Sequence, residues 1–189
     1  LSEIRHPVAL PFPVVRALRR FVRCAHGRAA AAGPAPPRPR NGDDGMESSQ
    51  SSKSVLVAGG TGFLGAAFVR ELADRGHRPV VLSRSPAKVS SRFPGREVRA
   101  REGDVTRPET LSGPLEGVEV VVQTVQFPGF PVEDPARGHT FREVDGRGTA
   151  NVAEAASRAG VERLIYLSGV GVDGRGEQPW FEAKRMAER

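Results

Sequence analysis

From residue 54 onward the hydrophobic positions alternate between two periods. Ser54–Ala58 (SVLVA) is a short, β-branched apolar run, the pattern of a strand buried on both faces. A glycine turn follows, and then FLGAAFVRELADRG, where Leu64, Phe68 and Leu72 recur every four residues beside Ala67. That spacing predicts a helix with Arg70, Asp74 and Arg75 outward and Gly76 as its left-handed stop. Pro79–Leu82 reads as a second strand, Glu97–Glu102 as a third and more polar one, and Val118–Thr124 as a fourth. Helical spacing returns from Phe141 to Ala159 through Val144, Gly148, Val152 and Ala155, Gly160 ends it, and Arg163–Ser168 is a fifth strand. Strands alternating with helices predict a doubly wound parallel α/β sheet with helices on both faces. Right-handed crossovers make the expected strand order 3-2-1-4-5, with a ligand crevice at the carboxyl ends of the first and fourth strands.

Residues 1–53 follow neither period. They form an Ala-, Pro- and Arg-rich basic extension that is expected to be disordered, ahead of a domain over 54–189. One piece, PVVRALRRFVRCA, could wind into a basic amphipathic helix with Val14, Leu18, Phe21 and Val22 on one face. Two readings stand: an organelle presequence, or an upstream stretch without a role, with Met46 as the true start. The first implies the mitochondrial matrix, the second the cytoplasm. Of the 28 Lys and Arg residues in the 189-residue chain, eight arginines lie in 1–45 against Glu3, Asp43 and Asp44. The body is therefore nearly neutral, which argues against nucleic acid as a partner. Cys24, the single cysteine, excludes a disulfide scaffold and a cysteine zinc cage, the four histidines have no metal spacing, and no apolar run reaches transmembrane length.

Candidate chemistry begins at GGTGFLG, Gly59 to Gly65. Gly59 permits a tight turn off the strand, Gly62 lets backbone approach a diphosphate, and Gly65 lets the helix lie close to the strand. The N–H groups of the first helical turn (Thr61, Gly62, Phe63 and Leu64 lead into it) would face the phosphates. The second strand ends in Ser83 and Arg84, with Lys88 beyond, where an NAD-selective site usually has a carboxylate. A hydroxyl and two cations suit a 2′-phosphate, so NADP(H) is expected over NAD(H).

GGTGFLG, followed by Gly103-Asp104-Val105 and by VDGRGTANVAEAA, resembles the short-chain dehydrogenase/reductase superfamily. The likeness is to its extended and atypical branch, which includes NAD-dependent epimerase/dehydratases and the NAD(P)H-binding accessory subunit of respiratory complex I. The resemblance implies a Rossmann sheet, an adenine contact at Asp104 and Val105, and Thr124 with the TVQF segment beside the nicotinamide ribose. It also implies further strands and a carboxyl-terminal lobe, so a domain that stops inside the helix WFEAKRMAER is expected to be incomplete. Members of the superfamily use Tyr and Lys spaced Y-x-x-x-K with an upstream Ser. Here Lys184 is in place as ribose ligand or surface lysine, but Trp180 holds the Tyr position, and an indole transfers no proton. Ser168 is the available serine, while Gly169 falls at the usual catalytic position and Asp145 where relatives carry an Asn. Tyr166 is expected to pack and His139 to be structural or solvent-facing. The loop 125–138, with Phe127 and Phe130, is either a wall of the substrate side or a rigid surface loop. Two function classes follow. One is an NADP-preferring oxidoreductase or epimerase/dehydratase-type enzyme with an unidentified small-molecule substrate. The other is a non-catalytic NADP(H) module for redox sensing or complex assembly with a protein partner, like the complex I subunit or NmrA-like regulators.

Overall fold

The structure, a computed structural model, describes residues 51–174 and 176–189. The proposed basic helix and nearly all of the extension lie outside these residues. Five parallel strands, β1 (Ser54–Ala58), β2 (Arg78–Ser83), β3 (Arg99–Glu102), β4 (Val120–Gln123) and β5 (Arg163–Tyr166), form one sheet in the order β3-β2-β1-β4-β5. The doubly wound order is therefore the one the alternating periods imply. Along β1 the pleat sends Val55 and Val57 to one face and Leu56 and Ala58 to the other, each into its own core. The first core closes under α1 (Phe63–Asp74) and α2 (Pro86–Arg92) through Val69, Val89 and Phe93. The second closes under α3 (Ser112–Leu115), α4 (Gly148–Arg158) and α5 (Pro179–Ala187) through Leu115, Val152, Ala156 and Ala183.

Three local expectations need correction. The inward face of α1 is Gly65, Ala66 and Val69, with Phe68 and Leu72 flanking it, while Leu64 and Ala67 are exposed. The cause is Gly65: a Cβ there would stand 2.2 Å from the Gly59 carbonyl oxygen. The helix is pinned with this glycine against the β1 turn, which rotates Leu64 outward. The single helix expected over 141–159 is two pieces, a π-wound Phe141–Arg147 and then α4. The Thr140 hydroxyl caps the first piece by accepting from the Glu143 N–H at 3.1 Å, and the wider winding buries Val144, Asp145 and Gly146 in succession. Finally, α2 and α3 are elements that the hydrophobic period does not predict. With Val89 the only buried residue of its seven, α2 carries too little periodicity to register, although Pro86 in its first turn is a start signal.

Candidate functional site

A cleft of about 840 Å³ opens at the carboxyl ends of β1, β2, β3 and β4. Its floor is the glycine turn. Gly59 has φ +82°, and a Cβ on it would meet Thr124 at 2.8–2.9 Å. The Thr124 hydroxyl donates to the Ala58 carbonyl at 2.8 Å, tying β4 to the end of β1 at the point where the turn departs. Gly62 differs from its neighbours: it is exposed, and its Cβ would meet only the Gly59 oxygen at 3.2 Å. Its lack of a side chain answers no demand of packing and keeps the backbone bare toward the cleft. The start of α1 has no side-chain cap and no acidic residue in its first turn, so its first N–H groups are left for an outside acceptor. Phe63 and Leu64 border the same cleft, and Phe63 is 90% exposed. A bare, uncapped amino end with a glycine approach fits a diphosphate.

The second wall carries the cations. The Ser83 hydroxyl accepts from the Ser85 N–H at 3.1 Å and donates to the Ser85 carbonyl at 3.0 Å, shaping the turn into α2. Arg84 is exposed, and both it and Lys88 border the cleft. At the third strand, Asp104 accepts from the Thr106 N–H at 2.9 Å and from the Thr106 hydroxyl at 2.8 Å, which makes it the head of a tight turn. Val105 lines the cleft from the core. The Asn151 amide donates to the Val105 carbonyl at 2.9 Å, and a Cβ on Gly148 would lie 2.8 Å from Val105 Cγ2. The GDV and GTAN segments, 46 positions apart in this contact, are two halves of one joint.

The loop after β4 supplies the remaining wall: Val125, Gln126, Phe127 and Pro128, then Arg137, Gly138 and His139. An antiparallel bridge between Asp134 and His139 folds it back, with Asp134 accepting from the Arg137 N–H and Gly138 at φ +68°. His139, Arg107 and Glu143 are cleft residues that the sequence reading did not place there, while Arg137 falls within the 125–138 loop expected as a possible wall. Asp134-Pro135 with Gly138 is a cap-and-turn signal that could have revealed the hairpin.

Ser168, Trp180 and Lys184 do not border this cleft. Ser168 is exposed two residues beyond β5. Lys184 is buried rather than on a surface, and its ammonium donates to the Leu167 carbonyl at 3.1 Å and lies 4.9 Å from the Tyr166 ring centre. The Trp180 ring covers Gly169, where a Cβ would stand 2.1 Å from the indole Cη2. Two of the three departures from the superfamily pattern thus meet in space, an indole seated on the bare backbone of a glycine.

Behind the loop wall lies a buried polar group. Gln123 donates to the Thr149 hydroxyl at 3.0 Å, Thr149 donates to the Asp145 carbonyl at 2.6 Å, and the Asp145 carboxylate accepts from the Phe127 N–H at 3.0 Å. Among the described residues Gln123 Oε1, Asp145 Oδ1 and the Tyr166 hydroxyl have no partner. Burial pushes the Tyr166 phenol up, and nearby Asp145 adds to the rise. Burial likewise pushes the Asp145 carboxyl up to about 6, against the pull of the Phe127 N–H and Lys184. The folded chain therefore keeps this proton to higher pH than the unfolded chain, and stability falls as pH rises from about 4 to about 6. The contribution is on the order of 3 kcal/mol. Thermal unfolding of Asp145→Asn between those pH values is expected to lack this decline, and an unchanged profile would assign it to other groups.

Among the described residues no helix is long and apolar enough to cross a membrane, and no cluster of His, Cys, Asp and Glu could hold a metal. A family model described as NAD(P)H-binding matches residues 59–189. Over 118 residues the chain is 36% identical to a 3 beta-hydroxysteroid dehydrogenase/Delta 5-->4-isomerase of Mycobacterium tuberculosis, covering 60% of this chain and 31% of that protein. Over 136 residues it is 31% identical to the photosystem II assembly factor Ycf39 of Synechocystis, covering 71% and 39%. The chain thus spans about a third of the length of these curated relatives. Among solved structures it is similar to gox2253, with a TM-score of 0.60, 29% identity, and coverage of 72% of this chain and 46% of that one. It is also similar to MoeE5, solved in complex with UDP-glucose and NAD, with a TM-score of 0.55, 26% identity, and coverage of 71% and 46%. Sheet order, glycine turn and family match agree over the same residues, and the chain belongs to the NAD(P)H-binding family, within the atypical short-chain dehydrogenases/reductases.

Proposed function

We propose that this chain is an NADP(H)-preferring dinucleotide holder without the superfamily's hydroxyl proton relay. The observation that carries the reading is the Trp180 ring packed on Gly169, in the two positions where the superfamily pattern that the sequence resembles has a phenol and a serine hydroxyl. When bound, the dinucleotide supplies a transferable hydride at its nicotinamide. The chain's own residues bind and orient it. Backbone N–H groups at the start of α1 take the diphosphate, the Asp104–Val105 turn borders the adenine side, and Arg84 and Lys88 face the sugar's extra phosphate. Thr124 keeps the floor closed, and Ser83 sets the turn that presents Arg84. Ser168 and Lys184 stand outside the cleft, which supports binding without proton transfer. A complex-assembly role agrees with the name of the Ycf39 relative.

Titration with NADPH and NADH, followed by fluorescence, tests the preference. NADPH is expected to bind at least about tenfold more tightly, the worth of one or two charge-assisted contacts. Arg84→Asp should reverse the order, and equal ratios in both proteins would remove the claim. A second reading, an oxidoreductase or epimerase, is favoured by the likeness to hydroxysteroid dehydrogenases. It predicts oxidation of bound NADPH across a panel of ketones, where the holder leaves the cofactor reduced.

A further inference from the structure

We propose that Asp145 is the positioning residue of the cleft wall: its buried carboxylate holds the Phe127 backbone so that the 125–128 segment keeps the shape that grips the dinucleotide. This rests on the NADP(H) reading above. Phe127 is the link between the buried polar group and the cleft, since its N–H donates inward to Asp145 at 3.0 Å while the residue itself lines the cleft.

The placement of Asp145 argues for a role beyond packing. It has no exposed surface, one carboxylate oxygen is unpartnered among the described residues, and burial works against its charge. A buried acid that disfavours the fold when ionised is found where the charge serves a site. The charged groups around it come from every element packed against it. Lys184 on α5 lowers its proton affinity, and Glu133 in the loop raises it. Tyr166 on β5 feels its charge, and Glu188, just past the end of α5, acts on both Lys184 and Tyr166. Lys184 thus has a defined task as counter-charge and as donor to Leu167. A charged acceptor forms the stronger hydrogen bond, so the wall is held best when Asp145 is ionised.

The test uses the full chain and two readouts, NADPH affinity between pH 5.5 and 7.5 and hydrogen exchange at the Phe127 amide without cofactor. Asp145→Ala is expected to speed Phe127 exchange and weaken NADPH about tenfold at pH 7.5, the loss of a charge-assisted bond. Asp145→Asn keeps an oxygen facing Phe127 and should restore most of both. In the wild type, acidification should weaken NADPH about fivefold more than in Asp145→Asn. His139 and the ligand's own phosphate are present in both proteins and cancel in that difference. Lys184→Met should move the wild-type midpoint to higher pH. Should Asp145→Ala fail to fold, the Asn and Met variants still decide: parallel pH profiles with unaltered Phe127 exchange would overturn the proposal. If no protein binds NADPH while the exchange differences persist, the dinucleotide reading fails and the anchoring role of Asp145 survives.

Discussion

Gly65→Ala is expected to unfold the glycine turn, and Gly62→Ala to leave the fold intact while weakening dinucleotide binding severely. The added methyl at 65 would stand 2.2 Å from the Gly59 oxygen, 2.7 Å from the Gly59 carbonyl carbon and 2.8 Å from the Thr124 hydroxyl. Two of these atoms are backbone, and the third is held by its bond to the Ala58 carbonyl, so none can yield alone. Relief requires α1 to lift off β1, which opens the core at Ala66 and Val69, both fully buried. Overpacking of this kind costs about 3 kcal/mol or more, and the melting temperature should drop by many degrees. At position 62 the methyl meets one oxygen at 3.2 Å and otherwise projects into the cleft. Gly62 also has φ −76°, which alanine adopts without strain. Its melting temperature should stay within a few degrees of wild type while NADPH affinity falls about a hundredfold, the loss of close phosphate approach. Equal effects of the two changes on stability would mean that Gly62 serves packing, and the cleft would then lose its strongest link to a diphosphate.

The contrast between these glycines shows where sequence reasoning reaches and where it stops. The strand order was legible because buried β-branched runs and helical spacing alternate, and chirality leaves few ways to connect them. The floor of the cleft was legible because Gly59 and Gly65 meet local demands of backbone geometry and Gly62 completes their spacing. The loop wall was legible only in outline, as a stretch over 125–138 that could be either a wall or a surface loop. Arg137 and His139 reach the cleft only because Asp134 and His139 pair across a short hairpin, a tertiary event without hydrophobic period. The rotation of α1 escapes the pattern because helical spacing counts large apolar residues, whereas a close backbone approach at Gly65 sets the angle. The setting of Lys184 was also hidden. Its sequence neighbours suggest an exposed helix face, but α5 packs against the π-wound segment, and Lys184 is buried in that contact.

Gly169→Ser is expected to destabilise the chain by about 3 kcal/mol, and Trp180→Tyr in the same molecule to recover part of that loss. A Cβ at 169 would lie 2.1, 2.5 and 3.2 Å from three atoms of the Trp180 six-membered ring. The indole cannot swing aside freely, because it meets Phe181 edge-on at 4.9 Å. Phe181 is itself wedged over Gly176, where a Cβ would stand 2.7 Å away. Trp180 alone changed to Tyr removes the atoms that cover Gly169 and leaves a gap at the margin of the core, a loss of about 1–2 kcal/mol. The phenol is shorter than the indole, so it makes room for a serine side chain at position 169. The two changes together should therefore cost at least about 1 kcal/mol less than their separate effects predict. Strict additivity in chemical denaturation would show that the ring does not sit on the glycine. The double variant carries the two hydroxyls of the superfamily pattern, yet NADPH turnover is not expected to appear with it. Lys184, the group that would lower the phenol's proton affinity, is committed to the Leu167 carbonyl and to the charge of Asp145. On the proposed reading the relay is lost at three places, and restoring two of them is expected to leave the proton without a path.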